Sequence, residues 1–300
     1  MRHVIEIPAS LADTQRAEGG AWVRNLPRLL ADTLDHWSLR PDGPVGHGMA
    51  GLVLPVVRPD GAAAVLKLQP VTEESADVAV GLRTWAGRGT VLLLDHDEAT
   101  GAVLLERLDA TRPLSTVTDD EAAVEILAGL LARLTAVKAP PGVRHLSDIA
   151  TEMLAQVESA VPELADPTER ALVRDCAAVT AELLPEPGDR LLHWDLHYDN
   201  VLAGEREPWL AIDPEPLAGD PGFDLLPALD NRWEEALATG DAPKVVRRRF
   251  DQLTEALSLD RDRAKGWSLA RVLQNALWDI EDGKPTLDPI QLTIARALMP

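Results

Sequence analysis

Cysteine is almost absent. Cys176 is the only one in 300 residues, so no internal disulfide can form, and a reduced, cytosolic setting is expected. Long apolar runs are missing too. The opening MRHVIEIPASL is interrupted by charge and proline before it reaches the length of a signal-peptide core, and no other stretch approaches a membrane span. Basic charge is scarce: 29 Lys and Arg stand against 49 Asp and Glu, a formal net charge of -20. A phosphate backbone needs a basic footprint, so nucleic acid is not the expected partner. The same balance suits a small cationic ligand, or serves solubility alone. Lysine is scarcer still. Lys67 is the only one in the first 137 residues, and it lies inside the apolar run AAAVLKLQP. A lysine there either snorkels to the surface or meets an anion.

What is present has two textures. Residues 21–37, AWVRNLPRLLADTLDHW, carry Leu26, Leu30, Leu34 and Trp37 at helical spacing. Short apolar runs follow: LVLPVV (52–57), AAAVLKL (62–68), TVLLLD (90–95) and AVLLER (102–107). RPDG joins the first pair and DEATG the last, which predicts two hairpins. Between them TEESADVAVGLRTWAG predicts a single helix. Beyond Arg112-Pro113 the pattern turns helical, over 119–137, 147–160 and 167–184. Strands return briefly in 191–213. From 222 the chain is helical again, ending in a helix closed by Gly283 and Pro285. The expected class is α+β with two unequal lobes, 1–107 and 108–300, and a ligand cleft between them.

Three constellations carry chemistry. GHGMAGLV matches G-x-G-x-x-G-x-V at Gly46, Gly48, Gly51 and Val53. Such a pattern can simply be a turn needing positive φ. Here it precedes a hairpin rather than the helix of a βαβ unit, which favours a phosphate-covering loop of the kinase type. Lys67, on the second strand of that hairpin, returns beside the loop and can hold nucleotide phosphates. It needs a carboxylate from the inserted helix, and Glu73, Glu74 and Asp77 are available. The third constellation is LLHWDLHYDN, where His193, Asp195, Leu196 and Asn200 give H-x-D-L-x-x-x-N, the spacing of a kinase catalytic loop. In that scheme Asp195 accepts the proton of a substrate hydroxyl and Asn200 gives an oxygen to magnesium. VLA (201–203) and WLAI (209–212) predict a hairpin around GEREP. If Gly204 faces Trp209, Asn200 faces Asp213, a second oxygen ligand.

Rival chemistries lack parts. His193 and His197 could begin a zinc site, but no clear third ligand follows. A serine hydrolase would want a G-x-S-x-G elbow, and none occurs. His197 is expected to be a structural histidine bonding the loop backbone, and His193 a buried brace. Only ten residues separate Asp213 from Asp224, no A-P-E follows, and Trp194 stands where a phosphate-sensing arginine would be. The substrate is therefore expected to be a small molecule rather than a protein.

These residues resemble the aminoglycoside phosphotransferase family, which shares the protein-kinase fold, and within it the aminoglycoside and hydroxyurea resistance kinases. The likeness runs nearly end to end, through RPDG, VLKLQ, LLDHDEATG, LLERLD, the stretch GDRLLHWDLHYDNVLAGEREPWLAIDPEPLAGDPGFDLLPALD, and RVLQNALWDIEDG. It implies ATP and Mg2+ as cofactors, with Asp195 as base, Asn200 and Asp213 on magnesium, and Lys67 on the phosphates. Glu74 is the chosen partner of Lys67. The backbone from Glu106 to Leu108 would receive adenine, and Asp224 would brace the catalytic loop. The substrate implied is an aminocyclitol antibiotic, streptomycin at its 6-hydroxyl first, with hydroxyurea or an amino sugar as alternatives. A nucleotide-binding pseudokinase is the alternative of another class. On LARVLQNALWDIED, Asn275, Trp278, Asp279 and Asp282 form a stripe beside the apolar one. Asp230, Trp233 and Glu234 offer a similar mixture. Carboxylates with an aromatic face suit guanidinium groups. The expected partner is this small cation alone, met by a monomer.

Overall fold

The computed structural model describes residues 20–48, 51–73 and 75–299. The first helix, α1 (Ala21–His36), covers a sheet of β1 (Arg40–Pro41), β2 (Gly46–His47), β3 (Leu52–Val57), β4 (Ala63–Leu68), β5 (Leu93–Asp97) and β6 (Ala102–Glu106). The order is β1-β3-β4-β6-β5, with β2 also on β3 and every pair antiparallel. Period-2 alternation sends Leu52, Leu54, Val56, Ala64, Leu66 and Leu68 to one face, where they meet Leu26 and Leu30 of α1. Lys67, between Leu66 and Leu68, must therefore point from the opposite face. That alternation is what aims it at the cleft.

Between β4 and β5 the expected long helix shortens to α2 (Val78–Trp85). Ser75 and Thr72 side chains bond nearby backbone over 70–75, offering the chain an alternative to helix. Ala86, at φ 53, ends α2 in the left-handed region. The strand expected over 90–95 starts later, at Leu93, because Thr90 bridges instead to Ala211 in the other lobe.

The chain leaves the sheet at Glu106, and β7 (Asp109–Pro113) already pairs with a strand of the second lobe. That lobe is built on α3 (Asp120–Thr135), α4 (Leu146–Ala160) and α5 (Pro167–Leu183). Two small ribbons follow, β8 (Arg190–Leu192) with β11 (Leu217–Gly219), and β9 (Val201–Ala203) with β10 (Trp209–Ala211). Helices α6 (Leu226–Leu229), α7 (Trp233–Ala238), α8 (Ala242–Ala256) and α9 (Arg261–Glu281) complete the core. A last helix, α10 (Pro289–Leu298), lies beyond Pro285, past the final helix expected from the sequence. Its signal was present: Asp288 caps it, accepting from Ile290 N, and Pro289 occupies the first turn. Asp119, Asp166, Asp241 and Asp260 cap α3, α5, α8 and α9 in the same way. Part of the acidic excess is thus spent on helix starts. No helix among the described residues is long and apolar enough to cross a membrane.

Candidate active site

The segment after β8 is held by a buried carboxylate. Asp224 accepts from His193 N at 2.9 Å and from Trp194 N at 2.6 Å. Its burial is complete, and this pushes its carboxyl up to about 6 even though both N–H groups favour the anion. His193 bonds Ile212 O through Nε2 at 2.9 Å and stacks on Trp85 of α2. Burial pushes its imidazole down to about 4, so it is a neutral donor. Trp194 lies between the guanidinium groups of Arg144, 4.6 Å away, and Arg271, 5.1 Å away. Trp194 has φ 68 and Asp213 φ 54, a left-handed backbone outside glycine at both edges of the site.

Asp195, Asn200, Asp213 and Lys67 come together at the mouth of the cleft. Asn200 Nδ2 donates to Asp195 O at 2.8 Å and to Asp195 Oδ2 at 3.1 Å. The amide nitrogen is thereby committed, and the amide oxygen faces away from Asp195. The hairpin register differs by one residue from the expectation. Ala203, not Gly204, faces Trp209, because the turn includes Gly204 itself, whose N–H reaches Pro208 O at 3.4 Å. Asn200 therefore lies across from Ile212, which donates to its carbonyl at 2.9 Å. Asp213 is one step further on, and its left-handed backbone turns the carboxylate to Lys67, Nζ to Oδ1 2.9 Å.

Among the described residues the acid paired with Lys67 is thus Asp213, and not Glu73 or Asp77. Asp77 Oδ2 is taken by Arg144 N at 3.0 Å, and Glu73 is exposed. Glu74 lies outside the described residues. In the glycine loop, Gly46 pairs with Val53, and Gly48 N reaches Gly51 O at 3.0 Å. Positive φ is not what these glycines supply, since neither Gly46, Gly48 nor Gly51 adopts it. Gly51 is needed for space: a Cβ there would come within 2.6 Å of Leu68 O.

At the joint, Glu106, Arg107 and Leu108 line one wall of a groove of about 870 Å³, and 203–206 line the other. Of their charged side chains, Glu106 reaches across to the second lobe and Arg107 stays within the first. Glu106 accepts from Leu92 N at 2.7 Å and pairs with Arg206 of the β9–β10 turn at 2.5 Å. Arg107 grips Ala64 O at 3.1 Å and Asp42 at 2.6 Å.

A second pocket, about 410 Å³, opens beside Asp195 and is lined by His197, Asp199, Asp230, Arg271 and Asn275 among others. Burial pushes the Asp230 carboxyl up to about 6, and it has no salt-bridge partner among the described residues. Asp230 and Asn275 are thus the two expected substrate residues that reach this pocket. The others are elsewhere. Trp233 packs partly buried on the large core, and Glu234 is exposed. Trp278, 46% exposed, borders a different groove with Ile149, Glu152 and Met153. Asp279 and Asp282 engage Lys284 at 2.6 and 3.9 Å. The helical stripe was sound, but seven residues of helix span roughly 10 Å, so its far end runs past the pocket.

Two features were missed. Arg271 is buried in the pocket wall, on the polar stripe and one turn before Asn275. Burial lowers its guanidinium to about 10, while Asp195, Glu215, Asp224 and Asp230 pull it back up, so it stays charged. Its place four residues before Asn275 and seven before Trp278, on the same helix face, was the available signal. Tyr198 is the other: its N–H reaches Asn231 Oδ1 at 2.9 Å and its hydroxyl Asp120 at 3.1 Å, bracing the loop from beneath.

Residues 36–283 match the family model described as aminoglycoside/hydroxyurea antibiotic resistance kinase. The chain belongs to this family. It is 60% identical to a Streptomycin 6-kinase of Streptomyces glaucescens, over 98% of this chain and 97% of that one. It is 55% identical to a Hydroxyurea phosphotransferase of Kitasatospora aureofaciens, over 99% and 86%. Among solved structures, an aminoglycoside phosphotransferase in ternary complex with AMP-PNP and hygromycin B superposes with a TM-score of 0.60 at 13% identity, covering 89% of this chain and 97% of that one. At that identity the likeness establishes the two-lobed kinase fold alone.

Proposed function

We propose that the chain transfers the γ-phosphoryl group of ATP to a hydroxyl of an aminocyclitol antibiotic, with the 6-hydroxyl of streptomycin as the acceptor. The observation that carries this reading is the pairing of Lys67 with Asp213 and of Asn200 with Asp195, where Asp195 itself lines an acidic pocket. Relatives 60% and 58% identical are named Streptomycin 6-kinase, which selects the acceptor.

The residues fit magnesium and nucleotide. Asn200 commits its nitrogen to Asp195 and keeps an oxygen, and Asp213 adds a carboxylate, the hard-donor pair that magnesium takes alongside phosphate. Gly51 lets backbone approach where a side chain would collide. Magnesium-ATP, when bound, supplies the phosphoryl group and neutralises its charge. Lys67, now on Asp213, is the cation available to phosphate oxygens. Asp195 orients the acceptor hydroxyl and receives its proton as the new O–P bond forms. Asp230 and Asp199 give the pocket an anionic wall suited to guanidinium groups. Most of the rate acceleration then comes from positioning and charge. The single thiol takes no part: Cys176 is buried, which pushes it up to about 12.

Hydroxyurea is the second reading, because one relative at 55% identity is named for it. A pocket of about 410 Å³ would be left mostly to water by so small a molecule. Streptomycin, hydroxyurea and glucosamine compared by ADP release decide the matter. Streptomycin should stimulate turnover most strongly. Stimulation by hydroxyurea alone would move the assignment, and none by any would favour a non-catalytic nucleotide-binding protein.

A further inference from the structure

His197 does more than cap its loop. Its Nδ1 accepts the Asp199 N–H at 3.3 Å at the start of the 3-10 turn Tyr198–Asn200. A backbone N–H can only donate, so Nδ1 must present a lone pair and the ring proton must sit on Nε2. Nε2 stands 3.7 Å from Asp195 Oδ2, at the edge of the acceptor pocket. Asn200 Nδ2 reaches the same oxygen at 3.1 Å. Two N–H donors, from residues two and five positions beyond Asp195, thus converge on one carboxylate oxygen.

We propose that His197 is a positioning residue for Asp195: its Nε2–H, with Asn200 Nδ2, holds Oδ2 so that Oδ1 faces the acceptor hydroxyl. The proposal rests on the phosphotransferase reading above. As the acceptor oxygen bonds to the γ-phosphorus and the bond to the departing ADP oxygen breaks, the hydroxyl proton passes to Oδ1. Were Oδ2 free, the carboxylate could rotate and present either oxygen at a poorer angle. At 3.7 Å the contact is longer than a hydrogen bond, and such contacts tighten when reactants are in place. A proton relay through His197 does not fit the same geometry. The ring's lone pair is at Nδ1, on the Asp199 amide, and so cannot take a proton from Asp195. The ring steers and does not carry.

Two isosteres separate the halves of the ring. In His197→Asn the amide oxygen can take the place of Nδ1 and keep the Asp199 bond, while nothing reaches Asp195. In His197→Gln the terminal nitrogen can take the place of Nε2. The expected result is a kcat about 10- to 100-fold lower in His197→Asn, the size of loss that small misplacements cause. Acceptor KM, ATP affinity and melting temperature should hardly move, and His197→Gln should recover most of the rate. Unchanged kcat in His197→Asn, or a His197→Gln no better than His197→Asn, would overturn the proposal and leave His197 a cap. Should His197→Asn melt early, the Gln variant and the tautomer decide. The tautomer is read without substrate, from the imidazole carbon and nitrogen shifts of the wild-type chain, and an Nδ1–H ring would also overturn the proposal. A wild-type chain that shows the Nε2–H tautomer but turns over no acceptor refutes the activity instead.

Discussion

Lys67 Nζ and Asp213 Oδ1 lie 2.9 Å apart, a cation from β4 paired with an anion that follows β10 in the other lobe. The pair joins elements separated by most of the catalytic apparatus in sequence, and both members are groups a magnesium-bound nucleotide would engage. Lys67→Met should lower kcat/KM for ATP by about 100-fold, while stability changes by no more than about 1 kcal/mol, since a partly exposed ion pair contributes little to folding. Steady-state kinetics with a parallel urea titration checks both halves.

Asp195→Ala removes the carboxylate that meets the acceptor but leaves Lys67 and Asp213 in place. Turnover should vanish while ATP affinity in calorimetry stays within a few-fold of the wild type, the pattern of an interaction used in the transition state. Full activity in this variant would remove the mechanism.

Asp230→Asn tests the anionic pocket. A charge-assisted hydrogen bond contributes about 1.5–3 kcal/mol, so KM for a guanidinium-bearing acceptor should rise roughly 10- to 100-fold. A neutral acceptor should be unaffected. Comparing streptomycin with an uncharged alcohol acceptor gives the readout.

His193 gives the chain a pH dependence whose sign is fixed by burial. Its folded-state value, about 4, lies below the ordinary 6.5. The stability it confers is complete above pH 6.5 and is lost as the pH falls toward 4, by roughly 3 kcal/mol in all. Asp224 acts in the opposite sense. Its raised value, about 6, penalises the fold above that pH, and the penalty is relieved as the pH drops toward the ordinary carboxylate range. Denaturation midpoints of wild type and His193→Gln should therefore converge as the pH falls through this window. In the wild type, the ring-proton resonance of His193 should stay unshifted down to about pH 5.

How far the sequence could be read depended on how local each feature was. The contact between Asn200 and Asp195 was legible because the two sit only five residues apart in one short loop. The strand alternation around Lys67 was legible for the same reason. The β9–β10 register was off by one because a turn's length depends on which backbone groups close it, and Gly204 joins the loop rather than the ladder. The helical stripe on α9 identified a face but not where along that face the pocket ends, so Asn275 reaches it and Asp282 does not. Arg271 shares the stripe of Asn275 and Trp278, but helical period does not say that a charge on that face is buried and compensated from other elements.

Residue order alone settles the nearest relationships here: the alternation that turns Lys67 from the core, the aspartates that start the helices, and the spacing that puts Asn200 onto Asp195. Those follow from backbone geometry over a few residues. The partner of Lys67, the burial of Asp224 beneath two backbone amides, and the meeting of Asp230 and Arg271 in one pocket do not. Each joins segments far apart in the chain, and packing of the whole core determines which distant groups share a dielectric and a distance.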